Sequence, residues 1–212
     1  MWTRLLPMPF TFRAFNLSQD DTPSSGLNLP VAGKSTLTSC MPVSPSIRPV
    51  AAAPAEEVRV DMAEMRVENR PVVLVTNVGS CVAICIHDPI NKCGGLAHIM
   101  LPTSKITKNQ NLPSKYADTA VPALTESLQK IAKNNSYLTA KIAGGANMFP
   151  NLKANSLNIG EKNVEAVKEA LSEKGIKLLA EDVKGTYGRR VTFNIVTGSV
   201  GVRNGNGVVK EL

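Results

Sequence analysis

"GSCVAICIHDPINKCGGLAHIMLP", residues 79–102, decides how the chain folds, and it holds three of the four cysteines and both histidines. Two β-prone runs, CVAICIHD and GGLAHIML, flank PINKC, and Asp88-Pro89 is a turn initiator, so the stretch reads as a hairpin. With the turn centred between Pro89 and Ile90, Cys81 lies directly opposite His98. Opposed residues of an antiparallel pair have Cβ atoms about 4.5–5.5 Å apart, within reach for a thiol and an imidazole. Alternation then sends Val82, Ile84 and Ile86 to the other face together with Ala97 and Ile99. A bulge at Gly94-Gly95 would shift this register by one.

The same geometry tests a metal site. Cys81 and Cys85 have a spacing found in zinc sites, and His87 follows. Residues four apart on a strand are separated by about 13 Å, whereas two thiolates on one zinc lie within about 4 Å. The strand reading therefore disfavours zinc and leaves Cys85 and Cys93 as small buried hydrophobes, with His87 a surface residue beside the turn. Cys81 differs because NVGSC ends a buried strand and turns through Gly79 and Ser80. Backbone N–H groups left free there can form an oxyanion hole and favour a thiolate. A thiol beside an imidazole is an activated nucleophile. Ser80 is a rival, but it lacks the G-x-S-x-G context. On residue chemistry alone, a Cys-His hydrolase and a buried hairpin with an incidental histidine both remain open.

Composition bounds the rest. The chain has 212 residues, 43% of them hydrophobic, enough to bury one full core. No apolar run approaches the ~20 residues of a membrane-spanning helix, so a soluble protein is expected. Cysteines concentrated in one apolar stretch fit a reducing cytoplasm better than a disulfide-stapled secreted fold. The net charge of +7 comes from scattered Lys and Arg, and aromatics are only 4%, so a nucleic-acid stacking surface is poorly supported. An acidic protein partner and a merely solvated basic surface both suit that charge.

The pattern divides the chain into an extension, residues 1–56, a domain, residues 57–206, and a short C-terminal tail, residues 207–212. The extension is rich in Pro, Ser, Thr and Ala without sustained periodicity and reads as disordered or as a mis-assigned start, with Met41 and Met62 as later candidates. The domain reads as mixed α/β. VRVDMAEMRV, PVVLVTNV, AKIAGG, IKLLAEDV, RRVTFNIVTG and SVGVRN are strand-like, the second buried on both faces. KYADTAVPALTESLQKIAKN and IGEKNVEAVKEALSEKG are helical, the first beginning late or kinked at Pro122, the second capped by Asn158 and stopped at Gly175. AGGANMF lacks the Lys-Ser/Thr of a phosphate loop and reads as a tight strand end, with Met148 and Phe149 a possible apolar anchor for a partner. Gly185 and Arg189-Arg190 read as a turn followed by strand-edge charge.

GSCVAICIHDP, GGLAHIMLP, KYADTAVPAL, AKIAGGANMF, IGEKNVEAVKEAL and LLAEDVKGTYGRRVTFNIVTG together resemble the CheD family, the chemoreceptor glutamine deamidases of bacterial and archaeal chemotaxis, over about residues 58–204. The resemblance implies a layered α/β/β/α sandwich with mixed sheets, similar to the catalytic domain of cytotoxic necrotising factor toxins. It also implies a cytoplasmic protein-glutamine glutaminase that converts receptor glutamines to glutamate and releases ammonia, with no metal or organic cofactor. The family nucleophile falls on Cys81 and its histidine on His98. The third family residue, a threonine thought to orient the imidazole, falls on Thr76. Here NV stands where many members have a Leu-Gly or Gly-Leu-Gly step, which would displace the threonine by one position and so, on a strand, to the opposite face; Thr76 is nevertheless the only hydroxyl in that region. The implied partners are the cytoplasmic helices of chemoreceptors, as substrate, and a CheC-type phosphatase. The alternative is a non-catalytic regulator that binds those two partners.

Overall fold

A computed structural model of the protein describes residues 56–106, 112–132, 136–148 and 158–212. The expected extension lies outside them except for Glu56, and so do Cys40 and Phe149. In chain order the elements are β1 (Glu56–Arg59), β2 (Met65–Glu68), β3 (Val72–Val78), β4 (Val82–Asp88), β5 (Cys93–Ile99), α1 (Ala117–Ile131) and β6 (Thr139–Gly144). They continue with α2 (Ile159–Glu173), β7 (Lys177–Val183), β8 (Arg189–Asn194), β9 (Val200–Asn204) and β10 (Val209–Glu211). The strands form two five-stranded sheets, β1-β3-β8-β9-β10 and β2-β5-β4-β6-β7. Both are mixed, since β1 runs parallel to β3 and β6 parallel to β7 while their other pairs are antiparallel.

The chain is thus α/β with two mixed sheets and few helices. β4 and β5 are buried on both faces, and their alternation separates two cores. Val82, Ile84, Ile86, Ala97 and Ile99 pack under α1 and α2, with Val121, Leu124, Leu128, Val164, Val167 and Leu171 from the helices. Ala83, Cys85 and Leu96 point the other way and meet Leu74, Val78, Val191 and Phe193 of the first sheet. Among the described residues both α-helices pack on the second sheet, and no helix is long and apolar enough to cross a membrane.

Two expectations need correction. VRVDMAEMRV is not one strand: β1 joins the first sheet beside β3, and β2 joins the second beside β5. The break is a turn at Asp61–Glu64, closed by Glu64 N–H donating to Asp61 O at 3.1 Å, with Ala63 in the left-handed region at φ 60°. The hairpin turn is also longer than expected. Asp88 pairs with Cys93, so residues 89–92 form the loop, and His98 stands opposite Ala83 rather than Cys81. Asp88 Oδ1 builds this loop by accepting the N–H groups of Ile90 and Asn91 at 3.0 and 3.1 Å, and Lys92 closes it at φ 49°. The register is displaced by two residues, an even number, so every side chain keeps its face.

The helices start and stop for local reasons. Asn158 caps α2 by accepting Glu161 N–H at 3.3 Å, and Gly175 ends it at φ 65°. α1 runs from Ala117 through Pro122 without starting late. β10 pairs with β9 and takes up half of residues 207–212.

Candidate active site

Thr76 lies in β3 with its side chain buried between the sheets, while Asn77 beside it is exposed. Its hydroxyl donates to Val60 O at 2.7 Å and lies 2.8 Å from His98 Nδ1. A hydroxyl has one hydrogen, and the Val60 carbonyl takes it. His98 Nδ1–H must therefore be the donor to Thr76 Oγ1, which leaves Nε2 with a bare lone pair. That Nε2 is buried and has no hydrogen-bond partner. The NV step before Gly79 does not turn Thr76 away from His98.

The backbone of His98 is held as firmly as its ring. His98 N–H donates to Glu64 O at 2.9 Å, and His98 O accepts Ala63 N–H at 3.1 Å. The Asp61–Glu64 turn therefore covers the histidine from the edge of the sheet. Burial pushes the His98 imidazolium below its ordinary pKa, while the Asp61 carboxylate and the Val60 carbonyl act in the opposite direction.

Cys81 immediately precedes β4, is half-buried, and packs against the core between the sheets. His98 is opposite Ala83, so Cys81, two residues earlier, is its diagonal neighbour on the same face. Burial raises the Cys81 thiol pKa, and a hydrogen bond from its own backbone N–H partly offsets this. Both shifts favour the neutral forms, a thiol and an uncharged imidazole. The loop around Cys81 is anchored by its carbonyls. Gly79 O accepts Ala146 N–H and Cys81 O accepts Gly145 N–H, each at 2.8 Å. Ser80 O accepts Asn163 Nδ2–H at 3.0 Å. Gly144, at φ 120°, lies so close that an added Cβ would overlap the Cys81 carbonyl oxygen. The glycines of AKIAGGANMF thus build the strap that holds the cysteine loop.

Two clefts open near the site, one at His98 and one at Gly79, and Cys81 is in the wall of neither. One of about 370 Å³ is lined by Val60, Asp61, Met62, Thr76, Asn77 and His98 among others. Another, about 580 Å³, has Gly79, Met148, Arg190 and Arg203 in its wall. Met148 sits over Gly79 and is 40% exposed.

The other candidates take structural places. Cys85 is buried mid-strand, and burial drives its thiol pKa strongly upward. Cys93 is buried where β5 begins. His87 is not a surface residue: it is half-buried, with Nε2 3.0 Å from Ile195 O and its ring edge-on to Phe193. Arg189 is not an edge charge, because its side chain is only 1% exposed and pairs with Asp182 at 2.8 Å. Among the described residues no three His, Cys, Asp or Glu side chains are grouped to hold a metal ion.

Asn163 escaped notice in the sequence. It is fully buried on α2, where it continues the stripe of Val167 and Ala170 at helical spacing. A polar side chain on an apolar stripe was the available signal.

The chain matches a family model described as CheD chemotactic sensory transduction over residues 100–204. It is 48% identical over 149 residues to the chemoreceptor glutamine deamidase CheD of Thermotoga maritima, covering 70% of this chain and 92% of that protein. A probable chemoreceptor glutamine deamidase CheD of Desulforamulus reducens is 44% identical over 149 residues, covering 69% of this chain and 90% of its own. One from Methanococcus vannielii is 45% identical over 150 residues, with 71% and 96% covered.

Proposed function

The chain belongs to the CheD family, and we propose on that premise that it deamidates glutamines of chemoreceptors, with Cys81 as nucleophile, His98 as acid-base and Thr76 as the residue that orients the imidazole. The observation that carries this assignment is the buried Thr76 Oγ1 to His98 Nδ1 hydrogen bond, which leaves Nε2 as the ring's free base on the face shared with Cys81.

The chemistry runs from a neutral pair. His98 Nε2 takes the thiol proton as Cys81 Sγ attacks the side-chain carboxamide carbon of glutamine, and the carbonyl π pair moves onto oxygen. Backbone N–H groups at the cysteine loop stabilise that oxyanion. Its collapse breaks the C–N bond while His98 Nε2–H protonates departing ammonia. Water then attacks the thioester, giving its proton to His98, and the thiolate leaves and is reprotonated. The product is glutamate.

Chemoreceptor helices are the proposed substrate, and Arg203, in the same cleft wall as Gly79, offers positive charge to an acidic helix, whereas Arg190 beside it is paired with Glu57 at 2.8 Å. A CheC-type phosphatase is a further proposed partner. The layered α/β/β/α plan of the cytotoxic necrotising factor catalytic domain belongs to the same proposal, supported by the mixed sheets and the cysteine packed between them.

The test is mass spectrometry of receptor cytoplasmic fragments incubated with the protein. Each modified glutamine gains about 1 Da, the exchange of NH for O that covalent amide hydrolysis produces. Cys81→Ala abolishes the gain, and retained deamidation in that variant overturns the mechanism. Stimulation of a CheC-type phosphatase by Cys81→Ala, with no deamidation by the wild type, would identify a regulator instead.

A further inference from the structure

We infer that Asn163 is a positioning residue for the oxyanion: by holding the Ser80 carbonyl, it aims the Cys81 backbone N–H at the reacting carbonyl oxygen. The inference rests on the deamidase reading above.

Asn163 Nδ2 donates one hydrogen to Ser80 O at 3.0 Å and the other to Met100 O at 2.9 Å. Ser80 immediately precedes the nucleophile, and Met100 follows His98 by two residues. A single amide on α2 therefore ties the cysteine loop to the strand that carries the base. In a planar trans peptide, a carbonyl and the N–H that follows it point in opposite directions. Anchoring Ser80 O on Asn163 turns the Cys81 N–H away from α2. The neighbouring carbonyls are fixed as well, Gly79 O by Ala146 N–H and Cys81 O by Gly145 N–H. Three successive peptide planes around the nucleophile are thereby set before substrate arrives.

What this leaves free matters as much as what it holds. Among the described residues, the Ser80 and Cys81 N–H groups have no acceptor apart from the Cys81 sulfur itself. Donors kept unspent beside a nucleophilic sulfur suit the negative oxygen formed when Sγ bonds to the carboxamide carbon. Asn163 is also imperfectly satisfied, since its Oδ1 is buried without a partner. Two carbonyl acceptors dictate which way the amide faces, and the unpaired oxygen is the consequence. An apolar side chain of similar size would remove the orphaned oxygen but would strip the Ser80 and Met100 carbonyls of their donor, so what the amide contributes here is its two hydrogens.

The test compares two reactions of the same sulfur in Asn163→Leu. Deamidation of receptor fragments builds an oxyanion, whereas alkylation of Cys81 by iodoacetamide is a displacement at saturated carbon that builds none. The expected result is a kcat for deamidation lowered by roughly 10²–10³, as for loss of one oxyanion donor, with KM and the alkylation rate little changed. A wild-type kcat in Asn163→Leu overturns the inference, as does an equal fall in both reactions. If the variant does not fold, the wild type answers by NMR with a receptor peptide whose glutamine side chain ends in an aldehyde. Sγ adds to the aldehyde carbon, the thiol proton ends on oxygen, and the Cys81 amide proton should move downfield. An unmoved resonance overturns the inference. A wild-type protein that does not deamidate removes the deamidase reading and the inference with it, whereas an active wild type with an unimpaired Asn163→Leu removes the inference alone.

Discussion

Thr76 Oγ1 and His98 Nδ1 lie 2.8 Å apart although they are 22 residues apart in sequence and belong to different sheets. The packing of one sheet on the other therefore sets the tautomer of the imidazole. Nδ1 must carry the proton because Thr76 has already given its own to Val60 O.

Thr76→Val tests this relationship, since it keeps the shape and removes the hydroxyl. His98 Nδ1–H and Val60 O then lose their partner in a buried place, which costs about 1–3 kcal/mol. The expected result is a lower denaturation midpoint and a kcat reduced by roughly 10², the lower end of what a positioned acid-base contributes. Thr76→Ser keeps the hydroxyl and should retain most of the activity. Steady-state kinetics and urea titration of both variants check the pair.

The pH profile follows from the directions of two shifts. Burial lowers the His98 pKa below 6.5 and raises the Cys81 thiol above 9.0, so the neutral pair spans a window wider than free histidine and cysteine would. The acid limb of kcat/KM should therefore lie below 6.5 and the alkaline limb above 9.0, the ordinary values of the two groups. Asp61 stabilises the imidazolium, so Asp61→Asn should move the acid limb to still lower pH. Stability follows the same sign. The contribution of neutral buried His98 is fully present above 6.5 and is lost as pH falls through its depressed folded value. Activity and unfolding measured across the acid range check both.

Two glycines separate a local requirement from a general one. Gly144 and Gly175 both have positive φ, but an added Cβ at Gly144 overlaps the Cys81 carbonyl, whereas at Gly175 it meets nothing within 4 Å. Gly175→Ala should cost only the backbone strain, about 1 kcal/mol, and leave kcat unchanged. Gly144→Ala should also displace the cysteine loop, so activity falls further than stability alone explains. Activity assayed on the folded fraction of each variant decides the contrast.

The faces of the hairpin were legible in the sequence and its offset was not. Period-two alternation assigns Cys81 and His98 to one side whatever the turn length, provided the displacement is even. The offset depended on Asp88 gathering two backbone N–H groups into a four-residue loop, and such side-chain bonds leave no periodic trace. Thr76 looked displaced because strand counting measures position along a chain, while its hydrogen bond depends on how β3 packs over β5. β1 and β2 read as one strand because nothing in VRVDMAEMRV marks a change of sheet except Ala63 at positive φ, an unusual residue there. Asn163 and Arg189 were missed or misread for one reason. Asn163 bonds remote carbonyls, and Arg189 bonds a carboxylate of β7 and carbonyls of its own turn, and neither kind of bond leaves a periodic trace.

Arg189 offers the last test. Its guanidinium donates to Asp182 Oδ1 at 2.9 Å, to Tyr187 O at 3.2 Å and to Lys184 O at 2.9 Å, and it lies over the Tyr187 ring. These bonds brace the turn at residues 184–188, whose Gly185 O accepts Asn147 N–H from the strap beside Cys81. A lysine has one nitrogen and cannot reproduce a planar fork bonded on three sides. Arg189→Met leaves Asp182 without its buried partner and should cost about 3–5 kcal/mol, somewhat less to the extent that Lys210, 3.7 Å from Asp182, compensates. Arg189→Met combined with Asp182→Leu removes both charges and should recover much of the loss. A double-mutant cycle by chemical denaturation measures the coupling, and two strictly additive effects would show that the pair does not brace the turn.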